Sequence, residues 1–71
     1  MPLHEGIELS KAAIENVEEC GVEVWDDLDQ IRAGRWTRET LLEHCLNGAD
    51  EDRVAGWHDY VDALFEIVEA K

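Results

Sequence analysis

The chain has 71 residues, and its 18 acidic against 6 basic side chains give a formal net charge of −12. Because 45% of the residues are hydrophobic and recur at helical spacing, the chain can bury a core, which excludes a disordered acidic tail. A chain of this length makes one domain, residues 1–71, with a small core. We therefore expect self-association or a protein partner to add stability.

The cysteines and the N-terminal sequence indicate a reducing compartment. Cys20 and Cys45 are the two thiols of the chain, and residues 1–6 lack the charged and apolar regions of a signal peptide. We expect free thiols and a cytoplasmic location. The longest apolar run, residues 63–65, is far below the roughly 20 residues of a membrane span, so we expect no membrane role.

Three glycines divide the chain into four predicted helices. Gly21, Gly34 and Gly48 each follow a segment with helical periodicity, where a left-handed residue commonly ends a helix. No segment alternates polar and apolar residues as a half-buried strand does. The sequence therefore predicts an all-α fold, a compact bundle of about four helices in which the N-terminal and C-terminal helices are long and the middle two are short.

The first two predicted helices run from about Pro2 to Cys20 and from about Val24 to Ala33. The apolar face of the first helix is formed by Leu3, Ile7, Ile14 and Val17. The apolar face of the second helix is formed by Trp25, Leu28 and Ile31. Both faces are predicted to point at the core.

The third predicted helix begins after Thr37, a favourable N-cap residue, and Trp36 is placed to pack on Leu41 as a hydrophobic staple. Its core side is predicted to contain Leu41, Leu42, Cys45 and Leu46. Residues 31–46 resemble the helix, glycine, cap and helix that open the amidase-signature enzymes. The resemblance covers under a quarter of the chain, and the serine- and lysine-bearing catalytic core of that family is absent, so it implies no activity here.

The fourth predicted helix follows Asp50, which suits the N-cap position. Its apolar residues are spaced by three and four, as in a heptad seam. They are Val54, Trp57, Val61, Leu64 and Val68. The opposite side carries an acidic face, which consists of Asp52, Asp59, Asp62, Glu66 and Glu69.

The two terminal helices carry apolar residues beyond these seams. On helical geometry, Leu9, Ala13 and Cys20 lie beside the first seam, and Tyr60 and Ile67 lie beside the fourth. Either the bundle buries these flanks, or a second copy or another protein covers them. We expect a homodimer, with the acidic faces turned outward.

The sequence excludes several small acidic protein classes. Ser10 lacks the Asp-Ser-Leu context of an acyl carrier protein. An EF-hand loop needs glycine sixth and glutamate twelfth, and neither is found when counting from Asp27 or Asp50. A DNA-reading helix needs cations, whereas the third helix offers Arg38 beside Glu39 and Glu43 and lies in a strongly acidic domain. We expect no direct binding to nucleic acid.

Metal binding and catalysis are also disfavoured. Neither His44 nor His58 follows a glutamate by three residues, as di-iron bundles require, and the adjacent Cys45 points about 100° away from His44 on a helix. The chain contains no glycine-rich phosphate loop and shows no nucleophile near a histidine and an acid. We therefore expect no metal, no cofactor and no enzymatic activity.

A small basic island interrupts the acidic surface. Arg32, Arg35 and Arg38 surround Trp36, and tryptophan and arginine are the residues most enriched at binding hot spots. In the alternative, these arginines pair with acids such as Asp29 and the following Glu39, and Trp36 is only a staple. The predicted partner-binding residues are Trp36, Arg35, Arg32, Arg38, Tyr60 and Ile67.

These observations predict a small acidic protein-binding factor without catalytic activity, a regulator or inhibitor of a larger protein. By analogy of type, it is comparable to the host-blocking proteins of phages and mobile elements. The alternative is a nucleic-acid mimic whose carboxylates occupy a DNA- or RNA-binding site. A third interpretation, the surface acidity of a salt-adapted protein, leaves the function open.

Overall fold

The computed structural model describes residues 7–70, which form four α-helices in that range. They are α1 (Lys11–Cys20), α2 (Val24–Arg32), α3 (Arg38–Leu46) and α4 (Glu51–Glu69). The predicted all-α class is confirmed for these residues, which contain no strand. None of the four helices is both long and apolar enough to cross a bilayer.

The predicted length of the first helix is wrong. The helix begins at Lys11, residues 7–10 are not helical, and α1 has 10 residues, so α4 with 19 is the long helix of the described chain. Ser10 is the N-cap, and its Oγ accepts from the Ala13 N–H at 3.2 Å and donates to Asp59 on α4 at 2.7 Å. The first bond satisfies a backbone N–H that has no partner within the helix, and the two bonds together hold Ser10 at the N-cap position. The helix therefore begins after Ser10. The predicted start at Pro2 and the seam residue Leu3 lie outside the described residues.

The first three helices end just before the predicted glycines. Gly21, Gly34 and Gly48 have φ angles of 65°, 80° and 77°, the left-handed region that favours glycine. Thr37 caps α3 as predicted, since its hydroxyl accepts from the Thr40 N–H at 3.1 Å. Asp50 occupies the N-cap position of α4, but its side chain makes no capping hydrogen bond.

The shorter helices α1, α2 and α3 each pack on α4, and α1 does so most extensively. Trp57, Val61 and Leu64 of the predicted seam are buried, whereas Val54 and Val68 are half-buried at its ends. The acidic face of α4 is exposed as predicted. The largest fully buried side chains of the core are Val17, Val24, Leu28, Leu41, Tyr60, Val61 and Leu64.

The core side of α2 differs from the prediction. Val24 is fully buried with Leu28 and Ile31, while Trp25 has half of its surface exposed. The spacing from Val24 to Leu28 to Ile31 is four and three, which follows one helical stripe. Trp25 lies about 100° from Val24 around the helix and therefore points away from α4.

Candidate partner-binding surface

Arg38, the first residue of α3, contacts the acidic face of α4. Its guanidinium forms an ion pair with Asp62, lies 3.8 Å from Glu69 and sits 5.5 Å from the Phe65 ring centroid. All three charged side chains are about half exposed or more. The structure therefore joins α3 to α4 through Arg38, and it does not pair this arginine with the predicted Glu39.

The rest of the basic island remains on the surface. Arg35 donates from Nη1 to Gln30 Oε1 at 3.1 Å, and Arg32 is exposed at the end of α2. Trp36 is half-buried against the core, and its ring centroid lies 5.0 Å from that of His44. The island thus keeps two exposed arginines, but part of its indole is already used in packing α3.

Tyr60 is not an exposed anchor, and the prediction that it lies on an uncovered flank is wrong. Its side chain is fully buried, and its ring lies edge-on to that of Trp57 with 5.7 Å between the ring centroids. Its hydroxyl donates a hydrogen bond to Asp27 Oδ2 at 2.5 Å. The flank of α4 that Tyr60 occupies is covered by α2, which supplies Asp27. Ile67, the other predicted flank residue, is half-buried against the core.

This packing changes the acidity of three groups. Burial is the main cause that raises the pKa of Asp27 above its usual range, although the hydrogen bond from Tyr60 opposes it. Burial and the bond to Asp27 raise the pKa of Tyr60 far above its ordinary value. Burial also raises the pKa of the Cys45 thiol to about 11, so this free thiol is poorly reactive at neutral pH.

Trp25 is the surface residue that sequence reasoning missed. It is the exposed large hydrophobic side chain of residues 7–70, with 50% of its surface accessible. On α2 it shares its outward face with Asp29 and Arg32, four and seven positions later. The signal was present in the sequence, since Val24 fits the spacing of the buried stripe better than Trp25 does.

A cleft opens at the start of α2. Its volume is about 460 Å³, and it lies between the loop after α1, the start of α2, and helices α3 and α4. Trp25 is not among its lining residues, because on α2 it lies about 160° around the helix from the lining residue Asp27. We call it the α2–α3 cleft, and it is lined by Gly21, Val22, Glu23, Asp26, Asp27, His44, Cys45 and Trp57.

The described chain shows no group of three or more metal-ligating side chains that could hold an ion. Comparison with protein families, curated proteins and solved structures found no match. The helix, glycine, cap and helix of residues 31–46 are present in the structure, but no family match accompanies that local resemblance.

Proposed function

We propose that this protein is a non-enzymatic protein-binding factor of the cytoplasm, a regulator or inhibitor of a larger protein. The observation that carries the proposal is the half-exposed Trp25 on the outer face of α2. Burial of such an exposed indole under a partner removes apolar surface from water and lowers the free energy of the complex. Tryptophan is also among the residues that contribute most to binding energy. Trp36 and Arg35, between α2 and α3, are further candidate residues.

The surrounding charge suits recognition of a protein. A net charge of −12 steers a partner of opposite sign and speeds its encounter. Exposed charge pairs contribute only about 0 to 1 kcal/mol each, so tight binding also needs a desolvated anchor. Trp25 supplies such an anchor, and the acidic side chains increase the rate of association with a basic partner.

The nucleic-acid mimic is the second candidate, and the exposed acidic face of α4 favours it. The five carboxylates of that face follow one another along a single helix of 19 residues. Arg38 weakens this candidate because it places a positive charge beside Asp62 and Glu69, and Ser10 binds Asp59. Three of the five carboxylates therefore have partners within the chain.

Salt dependence and matched variants separate the two candidates. The partner is captured on the immobilised protein from an extract of its own cells, and the purified pair is then measured at roughly 150 mM and higher salt. If the function is protein binding through an anchor, Trp25→Ala or Trp36→Ala weakens affinity by at least about 1 kcal/mol and most parent affinity survives high salt. Neutralising Asp59, Asp62 and Glu66 together then mainly slows association.

The opposite pattern would support the mimic. In that case affinity collapses as salt rises, the triple acid variant abolishes binding, and both tryptophan variants bind like the parent. Failure to capture any partner would count against both candidates. The homodimer remains part of the proposal, and sedimentation of a clean monomer at roughly 150 mM salt and high protein concentration would refute it.

A further inference from the structure

We propose that Cys20 and Cys45 form a reversible intramolecular disulfide that joins the end of α1 to the end of α3 across the α2–α3 cleft. The two thiols are free in the structure and are the two cysteines of the chain. A disulfide in a reducing compartment is usually transient and senses the redox state, which is why we infer a reversible bond. This modification site goes beyond the proposed function, because it needs no protein partner.

The register of α1 on α4 places Cys20 near the connection between α3 and α4. The two helices run antiparallel: Ser10 at the start of α1 bonds to Asp59, whereas Asn16 bonds to the carbonyl of Arg53, near the start of α4. One further turn of α1 reaches Cys20. Cys20 therefore lies level with the first residues of α4, where the chain arrives from α3.

Cys20 lies on the core side of α1. It follows Ala13, Asn16 and Val17 by seven, four and three positions, and these three residues are buried on the helix that packs most extensively on α4. Residues at these spacings share one face of a helix. The Cys20 side chain thus leaves α1 on the face turned toward the bundle, although it is exposed at the helix end.

The α2–α3 cleft brings the two helix ends to the same side of α4. Gly21 and Val22, which directly follow Cys20, line the cleft together with Cys45 in the last turn of α3. The register sets the height of Cys20 along α4, and the cleft sets its side. The charge of Cys20 is also a cause that raises the pKa of Cys45, after burial and Asp27, as expected of neighbouring groups.

The helix ends give both thiols the freedom that a disulfide needs. A disulfide joins residues whose Cα atoms are about 4.4 to 6.8 Å apart. Cys20 is the last residue of α1, and Cys45 is the last but one of α3. Helix ends open at low free energy cost, so the two residues can approach while the rest of each helix keeps its contacts.

The chemistry is thiol–disulfide exchange with a small-molecule disulfide such as glutathione disulfide. The exposed Cys20 thiol loses its proton, and its thiolate attacks one sulfur of the oxidant, whose S–S bond breaks to release one glutathione thiolate. Cys45 then loses its proton, attacks Cys20 Sγ and displaces the second glutathione thiolate. The two protein thiols are oxidised to one disulfide, and the oxidant is reduced to two glutathione thiols, which take up the two protons.

The second step is expected to be the slower one. Burial raises the pKa of Cys45 to about 11, so little of this thiol is ionised at neutral pH. Opening of the end of α3 exposes the thiol to water and removes most of that obstacle. The mixed disulfide of Cys20 with glutathione should therefore appear first and then give way to the internal disulfide.

The test equilibrates the reduced full-length protein with mixtures of glutathione and glutathione disulfide, in buffer and again in concentrated urea. Intact mass gives the fraction of the protein that has lost two hydrogen atoms, and hence the effective concentration of the thiol pair. We expect this concentration to be at least about tenfold higher in buffer than in urea, because the folded chain holds the thiols together. Dithiothreitol should restore the reduced mass.

The matched control is the double variant Cys45→Ser/Glu43→Cys. Glu43 is exposed and lies about 160° around α3 from Cys45, so a thiol at this position closes nearly the same length of chain but points away from the cleft. Its effective concentration in buffer should not exceed the value in urea. Cys45→Ser alone should stop at the mixed disulfide of Cys20 with glutathione.

Three results would each overturn the inference. The parent protein accumulates as the glutathione mixed disulfide or as disulfide-linked dimers, the effective concentration in buffer is no higher than in urea, or the control variant forms its disulfide as readily as the parent. These measurements involve no partner. Their failure therefore leaves the proposed protein-binding function standing, and failure to capture a partner leaves the disulfide standing.

Discussion

The contacts of α1 and of α3 with α4 hold the same central helix by different means. At the α1 contact the buried Asn16 donates from Nδ2 to the Arg53 carbonyl at 2.9 Å and accepts from Arg53 Nη1 at 3.1 Å. At the α3 contact Leu41 is the buried residue of the helix, and the polar link is the exposed pair of Arg38 and Asp62. The α1 contact thus has two fully buried apolar residues, Ala13 and Val17, and a satisfied buried amide. The α3 contact has one fully buried leucine, a solvated ion pair and apolar side chains that are only half-buried, which are Leu42, Cys45 and Leu46.

This difference matters for function because regions with few buried contacts open at lower free energy cost than the rest of a domain. The α2–α3 cleft lies on the less tightly packed side, where His44 and Cys45 of α3 form part of its wall. We therefore expect the α3 side to open at a lower free energy cost than the α1 side. The following predictions test this difference between the α1 and α3 contacts. They begin with Leu64, which lies on the helix that both contacts share.

Leu64→Ala should have the largest effect. Leu64 is fully buried on α4, on which both α1 and α3 pack. Truncation of a buried leucine costs about 2 to 5 kcal/mol, which would unfold much of so small a domain. Circular dichroism and urea unfolding measure the loss, and a variant that melts like the parent would show that the α4 seam is wrongly assigned.

Gly56→Ala tests the close approach of α1 and α4. A Cβ built at Gly56 would lie 2.7 Å from the Ala12 carbonyl oxygen and would also clash with the Asn16 amide. Since Ala12 O is backbone, the helices must separate, and we expect a net loss of about 1 to 3 kcal/mol in the free energy of unfolding.

The control for this variant is His58→Ala, an exposed position on the same helix. It receives the same new residue without a tight contact, so it should stay within about 0.5 kcal/mol of the parent. Alanine is about 1 kcal/mol better than glycine within a helix. If Gly56→Ala is stabilised by that amount, the close approach does not constrain the fold.

Tyr60→Phe tests the polar link between α2 and α4. The change removes the donor to Asp27 and leaves a half-buried carboxylate without that bond, at a cost of about 1 to 3 kcal/mol at pH 7. The folded-state pKa of Asp27 is raised, so its stabilising contribution is present below the ordinary value of 3.8 and is lost as pH rises through the folded pKa. Loss of the Tyr60 hydrogen bond should raise this pKa further.

Urea unfolding at several pH values measures these effects. The penalty of Tyr60→Phe should shrink as pH falls and Asp27 becomes protonated. Asp27→Asn is the matched variant, because its amide oxygen still accepts from Tyr60 and carries no charge to desolvate. It should equal or exceed the parent in stability at pH 7, with an advantage that shrinks as pH falls and is lost below the ordinary value of 3.8. A Tyr60→Phe penalty independent of pH would contradict this assignment.

The sequence predicted what depends on local chemistry and missed what depends on distant neighbours. Gly21, Gly34 and the Thr37 cap act within a few residues, and the structure has them as predicted. Ser10, which sets the start of α1, is held in place partly by a bond to Asp59, 49 positions away. Periodicity also shows which residues lie beside a seam, but it does not show that α2 covers Tyr60 or that Trp25 is left exposed.

Arg38→Gln should have the smallest effect. The ion pairs of Arg38 with Asp62 and Glu69 are solvated, with side chains 47%, 61% and 66% exposed, so we expect a loss of only about 0 to 1 kcal/mol. Because salt screens exposed pairs, the gap between this variant and the parent should close as salt rises, whereas the Gly56→Ala gap should remain.

Arg32→Gln is the control for Arg38→Gln, since it makes the same change in net charge at another exposed arginine. If both variants lose equal stability, the effect of Arg38 is general charge balance rather than a link from α3 to α4. If Arg38→Gln instead costs more than about 2 kcal/mol at high salt, the guanidinium over Phe65 is an essential packing contact. The α3 side would then be as firmly held as the α1 side, and the proposed difference between them would be wrong.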